Sequence, residues 1–285
     1  MPTEPLQQIL VLFELSLLLA GLYFFQRLVT QPAQRARWLI PQTLPAWPLT
    51  LAEFGIFIFF ILGTGAFCQL AAHGIFKAII AKSVDREGLQ LCLNGFSFDG
   101  GGLLGWGLFR WIQSTWASTP PPVTPIPTLT WGKLSLAAST ALLTALPLIV
   151  AANWLWTLLI EALGLPAAPQ DLIAIFAQTK SPYVIAGMLI VACVLAPLYE
   201  ELLFRAGLYR FCRQHLGRTT ALILSGALFG AVHANWASFL PLALLGIILA
   251  LIYETTGDIR APIIAHGLFN LNTVLIVFSG LPQSL

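Results

Sequence analysis

Charge is what this sequence has least of. Asp, Glu, Lys and Arg make up 9% of its 285 residues, against 58% hydrophobic ones; an ordinary soluble domain is about 25% charged. So little charge cannot clothe a water-facing surface, and a mean hydropathy of +0.83 makes lipid the solvent. A net charge of +2 leaves no basic footprint, which excludes nucleic acid as a partner. Cysteine is scarce as well. Cys68, Cys92, Cys193 and Cys212 form no C-x-x-C pair, which argues against a disulfide framework or thiolate metal site and leaves four small apolar residues. Neither H-E-x-x-H nor G-x-S-x-G occurs, so there is no zincin helix and no serine elbow. The serine nearest a motif, Ser225, lies two turns before His233 with no elbow around it. Glu4, rather than a positive segment, precedes the first apolar run, which argues against a signal peptide. "MPTEP" lacks the glycine that myristoylation needs.

What the chain has in quantity is uncharged sequence. Several runs approach the roughly 20 residues that cross about 30 Å of hydrocarbon. Candidate spans are Leu6 to Val29, Leu49 to Ala72, Leu134 to Ile160, Tyr183 to Tyr199, Thr220 to Trp236, Phe239 to Tyr253 and Pro262 to Phe278. "GFSFDGGGLLGWGLFRWI" (Gly95 to Ile112) is ambiguous: apolar and aromatic, but glycine-rich and interrupted by Asp99. His73 to Gly95 reads as a polar connection. "GLPAAPQDLIAIFAQTKSP" reads as a short interfacial helix with Leu172, Ile173, Ile175 and Phe176 on its apolar side. Five prolines within residues 120–127 make a linker that no helix continues through. The expected fold class is all-α, a polytopic transmembrane helical bundle of about seven to eight spans. Residues 1–131 form N-terminal helices ending in the linker, and residues 132–285 a second membrane domain. No internal repeat is present.

Lysine and arginine orient the bundle. Eight spans with an outside N-terminus place ten basic residues in the cytoplasm and four outside. Seven spans with an inside N-terminus give the same split with different members, so the rule leaves the span count open. Both solutions put Arg205, Arg210, Arg213 and Arg218 on the cytoplasmic side.

Three late motifs carry ionisable groups. "PLYEELLFRAGLY" (Pro197 to Tyr209) follows a run uncharged from Tyr183 to Ala196. On a helix, Glu201 and Arg205 are i and i+4 and can pair, while Glu200 points about 100° away. One reading is a salt bridge at the membrane exit, with Glu200 in headgroup water. The other is a structural pair that leaves Glu200 free as a base. "FGAVH" sets Phe229 and His233 at i, i+4, and "HGLFN" does the same for His266 and Asn270. Histidines in apolar helices are commonly hydrogen-bonded core residues, but here two share late spans with one unpaired glutamate and one asparagine. His215 precedes Gly217 at a helix C-terminus, a favourable place for a cation, and His73 falls in the polar connection. Glu, His, His and Asn together suit hydrolysis by water. A carboxylate supplies a general base, a histidine can hold the water or ligate a metal, and a second histidine with an amide can donate to an oxyanion.

E-E-x-x-x-R, F-x-x-x-H and H-x-x-x-N, in this order on successive late helices, resemble the CPBP family, which contains the type II CAAX prenyl endopeptidases and the bacterial Abi proteins. The resemblance runs from about Ala167 to Leu275. It implies an intramembrane endopeptidase acting on a peptide or protein substrate in the lipid bilayer. In that family pattern Glu200 and His233 activate the attacking water, His266 and Asn270 form the oxyanion hole, and Glu201, Arg205 and Phe229 are structural. Glu200, His233 and His266 would also suit a catalytic zinc with an open position, so the cofactor is a divalent metal or none. A non-catalytic scaffold that keeps the cluster for helix packing, at about 0.6 kcal/mol per interhelical bond, is the alternative. A proton-coupled transporter is the third reading, disfavoured by the lack of repeated broken helices.

Overall fold

The computed structural model describes residues 4–39, 44, 47–116, 129–166, 175–176, 178–179 and 181–280. Every regular element among them is helical. In chain order they are α1 (Glu4–Thr30), α2 (Pro32–Leu39), α3 (Leu51–Ala81), α4 (Arg86–Trp116), α5 (Trp131–Ala162), α6 (Pro182–Leu216), α7 (Arg218–Ala231), α8 (Trp236–Thr256) and α9 (Arg260–Ser279). The starts are written in side chains that catch free amide hydrogens. Thr50 and Glu53 form a capping box for α3, and Thr130, Ser181 and Asn235 cap α5, α6 and α8. Gly257 and Gly280, in the left-handed region at φ 66° and 74°, end α8 and α9.

α1, α3, α5, α6, α8 and α9 are long and apolar enough to cross a membrane, and the chain is an integral multi-pass membrane protein. α4 and the 14-residue α7 run between the same two ends without meeting that standard. At one end the Trp47 amide donates to Gln214 Oε1 (3.2 Å), a His215 ring nitrogen lies 3.3 Å from Leu49 O, and Arg260 donates to Leu129 O (3.4 Å). At the other, Thr179 donates to Asp85 (3.0 Å) and Trp156 Nε1 to Trp236 O (2.6 Å). With α4 and α7 counted, these contacts make successive helices from α3 to α9 alternate in direction, as in the eight-span solution. Arg210, Arg213 and Arg218 lie at the end that the positive-inside rule gives to the cytoplasm.

Two expectations change. His73 to Gly95 is not a connection: α3 runs on to Ala81 and α4 begins at Arg86, leaving a short turn between. Lys77, Arg86 and Glu87 sit on helix extensions, Lys82 and Asp85 lie in the turn, and His73 is exposed on α3. The proline-rich linker, and Leu172 and Ile173 of the expected interfacial helix, lie outside the described residues. Of that segment Phe176 is buried and packs with Cys92, Val184 and Met188.

α4, diluted in hydropathy by its glycines, packs closely against two neighbours. Gly88, Gly95 and Gly102 recur every seven residues along α4, and each lies where a methyl group would strike α6: Val184, Val191 and the Tyr199 ring respectively. A seven-residue repeat keeps one stripe against a parallel neighbour, and missing side chains let two helices approach closely in a membrane. On α4's other side, Gly101 and Gly105 do the same against the α3 backbone at Thr64 and Phe60. α6 is therefore held along its length by a helix that hydropathy alone leaves in doubt. At the basic end Glu254, 1% exposed, accepts from Tyr209 (2.8 Å) and Arg218 (2.7 Å) and pairs with Arg213 (2.7 Å), tying α6, α7 and α8 together.

Candidate active site

α6 is not a uniform helix. Residues Val191–Leu195 and Leu202–Tyr209 are wound as π-helix, and the single turn Ala196–Glu201 between them is α-helical. π-Segments inside α-helices concentrate at functional sites, and the two glutamates close the turn that these segments bracket. The first has a traceable chemistry. The Ala196 amide donates to Val191 O, five residues back, so Ala192 O should receive the amide of residue 197. That residue is Pro197, which has none. Asn270 of α9 supplies the missing donor, its Nδ2 lying 2.7 Å from Ala192 O. α9 comes this close because Gly267 has no side chain; a methyl group there would lie 2.5 Å from Cys193 O.

Glu201 and Arg205 are both 0% exposed and pair at 3.0 Å. Arg205 also donates to Gly246 O of α8 (3.1 Å) and stacks its guanidinium 4.4 Å above the Phe229 ring, a cation–π contact strengthened by desolvation. Glu201 Oε1 takes a second partner, His266 Nδ1 at 2.9 Å. A carboxylate only accepts, so Nδ1 carries the hydrogen. The other ring nitrogen, Nε2, faces Glu200 Oε2 at 3.8 Å, beyond a direct hydrogen bond. His266 thus stands between the two glutamates. Glu200 is the one left over: its side chain is 20% exposed, and Oε2 has no hydrogen-bond partner.

His233 closes the C-terminal turn of α7, where helix carbonyls lack intrahelical donors. Its Nδ1 lies 2.8 Å from Phe229 O, so Nδ1 holds the hydrogen and Nε2 of the neutral ring keeps a free lone pair. Ala234 then adopts φ 49°, a left-handed turn that costs a non-glycine residue about 1–2 kcal/mol, and Asn235 starts α8. The Phe229 ring is the wall between the histidines, 5.2 Å from His233 and 5.5 Å from His266, centroid to centroid.

Glu200, Glu201, Arg205, Phe229 and His266 therefore meet directly. His233 joins through Phe229 and makes no hydrogen bond to Glu200. Asn270 is partly engaged with the α6 backbone, leaving one amide hydrogen. Among the described residues no three His, Cys, Asp or Glu side chains are grouped to hold a metal ion, so Glu200, His233 and His266 do not form the zinc set as they stand. Sequence reasoning missed two neighbours, Tyr199 and Asp99, which lie within electrostatic reach of Glu200 and of each other. The signal was the glycine heptad on α4.

Comparison with known proteins follows the same helices. The Rce1-like model, described as type II CAAX prenyl endopeptidase Rce1-like, matches residues 182–272. "Putative membrane peptidase YdiL" of Bacillus subtilis (strain 168) is 30% identical over 89 residues, 31% of this chain and 36% of that protein. "Uncharacterized protein YpbD" of the same organism is 32% identical over 92 residues, 32% of this chain and 44% of the relative. The match thus spans less than half of each relative's length. No solved structure matches. All three motifs fall inside residues 182–272, the segment in which the chain is similar to the Rce1-like type II CAAX prenyl endopeptidases.

Proposed function

We propose that this protein is a membrane endopeptidase that hydrolyses a peptide bond of a membrane-associated or lipid-anchored substrate, using water activated at Glu200. What supports the reading most is the division between adjacent carboxylates. Glu201 is fully buried and commits Oε1 to Arg205 at 3.0 Å and His266 at 2.9 Å, whereas Glu200 is partly exposed and has no such partner, its nearest charged neighbour being His266 Nε2 at 3.8 Å. Had packing been the only use of the motif, both carboxylates would be expected to hold a partner within the fold, as Glu201 does.

In this mechanism Glu200 takes a proton from the attacking water. His233, with its Nε2 lone pair free, orients that water from the α7 side. As the water oxygen bonds to the scissile carbonyl carbon, negative charge builds on the carbonyl oxygen. The donors for it are Nε2–H of His266, which requires the ring to carry both hydrogens because Nδ1–H is held by Glu201, and the remaining amide hydrogen of Asn270. Collapse of the tetrahedral intermediate breaks the C–N bond, and the proton held by Glu200 passes to the departing nitrogen. Glu201 fixes the His266 ring by accepting from Nδ1, and Phe229 holds the histidines apart. The step needs no covalent enzyme intermediate.

The test is cleavage by purified protein in nanodiscs. The substrates are quenched fluorescent peptides, some with a farnesylated cysteine near the C-terminus and some anchored by a single transmembrane helix, with products read by mass spectrometry. Cleavage of an anchored peptide at one bond is expected. Inactivity toward the whole panel counts against the reading.

A further inference from the structure

Asp99 is a second carboxylate that packing aims at the motif turn. It follows Cys92 by one heptad on α4, and Cys92 already touches α6, its Sγ lying 3.5 Å from Val184 O. It also precedes Gly102 by three residues, so the two share a helix face, and Gly102 receives the Tyr199 ring. The Phe98 ring meets Tyr199 as well, at 5.7 Å. Asp99 is 8% exposed and lies within electrostatic reach of Glu200. No donor among the described residues hydrogen-bonds its carboxylate, just as none reaches Glu200 Oε2.

Buried carboxylates without donors are rare. The nearby cation is committed: Arg205 serves Glu201 and Gly246. Among the described residues no third ligand side chain joins Asp99 and Glu200 to form a metal site. A donor to Asp99 therefore comes from outside the fold, either as water or with the molecule that displaces it. An extended peptide brings one in each backbone N–H, along with the carbonyl that the proposed chemistry attacks.

We infer that Asp99 is a substrate-positioning residue that accepts a hydrogen bond from a backbone N–H of the bound peptide, and so sets the scissile carbonyl opposite Glu200. This inference rests on the peptidase reading above. It assigns α4, outside the matched segment, a part in substrate selection. Substrates with proline or an N-methyl group at the recognised nitrogen are discriminated against, because they bring no hydrogen.

The test combines Asp99 variants with backbone esters. Asp99→Leu is close in size and accepts nothing; Asp99→Asn keeps a neutral acceptor. On a farnesylated quenched peptide that wild type cleaves, Asp99→Leu should lower kcat/KM about ten- to a hundredfold, as for a lost hydrogen bond to a charged group. The loss should appear chiefly in KM, with Asp99→Asn intermediate. A series of the same peptide, with one amide at a time near the cleaved bond replaced by an ester, then locates the contact. At one position the ester should bring wild type down to the Asp99→Leu value and leave Asp99→Leu unchanged. A merely structural Asp99 would give the same loss on every member. That result, or unaltered kinetics in Asp99→Leu while Glu200→Gln is inactive, overturns this inference and leaves the peptidase reading standing. A wild type that cleaves none of the peptides removes that reading, and this inference with it.

Discussion

Glu200→Gln should lose turnover by about 10²- to 10⁴-fold, the usual contribution of a general base, while unfolding at the wild-type temperature. The substitution keeps the side chain's shape and hydrogen-bonding capacity but removes its ability to take a proton from water. Stability should hold because Glu200 supports no partner in the fold: Oε2 is unpaired, and His266 Nε2 stands 3.8 Å away. A neutral amide is also easier to bury than a carboxylate. In the scaffold alternative the same change would leave function intact. Turnover, thermal midpoint and peptide affinity from one preparation separate the two. Full activity in Glu200→Gln would defeat the mechanism.

The neighbouring change should do the opposite. Glu201→Gln is expected to destabilise the protein by about 3–5 kcal/mol, the range for removing one partner of a buried ion pair. Arg205, 0% exposed, would keep only Gly246 O and the face of Phe229. His266 would lose its charged acceptor, so activity should also fall in the molecules that do fold. The readout is the thermal midpoint together with the monodisperse fraction after detergent extraction. Adding Arg205→Met should recover part of the loss, because the stranded charge goes with it. An unchanged midpoint with full activity in Glu201→Gln would refute the pairing.

The legible parts of this fold are those in which neighbours along one helix decide the outcome. The i, i+4 spacing of Glu201 and Arg205 predicts their ion pair, and the pair forms even though α6 is π-wound from Leu202 onward. The uncharged runs mark the six most apolar helices. α4 is ambiguous for a physical reason: the glycines that dilute its hydropathy are the residues that seat it on α6 and α3. The first π-segment could not be read, although Pro197 carried half of the signal. Its other half is Asn270, far along the chain, whose amide fills the carbonyl left open. Charged residues at Lys77 and Arg86 suggested a loop where helices in fact extend beyond the apolar stretch. The motif residues could be picked from spacing. How His266 is shared between two glutamates depends on the packing of α9 against α6, which no local pattern encodes.

In the proposed mechanism water, rather than an enzyme side chain, is the atom donor to the new carboxyl group. A single-turnover reaction, with enzyme in excess over an anchored peptide and run in heavy-oxygen water, tests this most directly. Direct attack by water held at Glu200 predicts that the new C-terminal carboxylate carries the heavy isotope in the first turnover. Product whose new carboxylate first carries ordinary oxygen would mean that a glutamate itself attacks, and would contradict the mechanism.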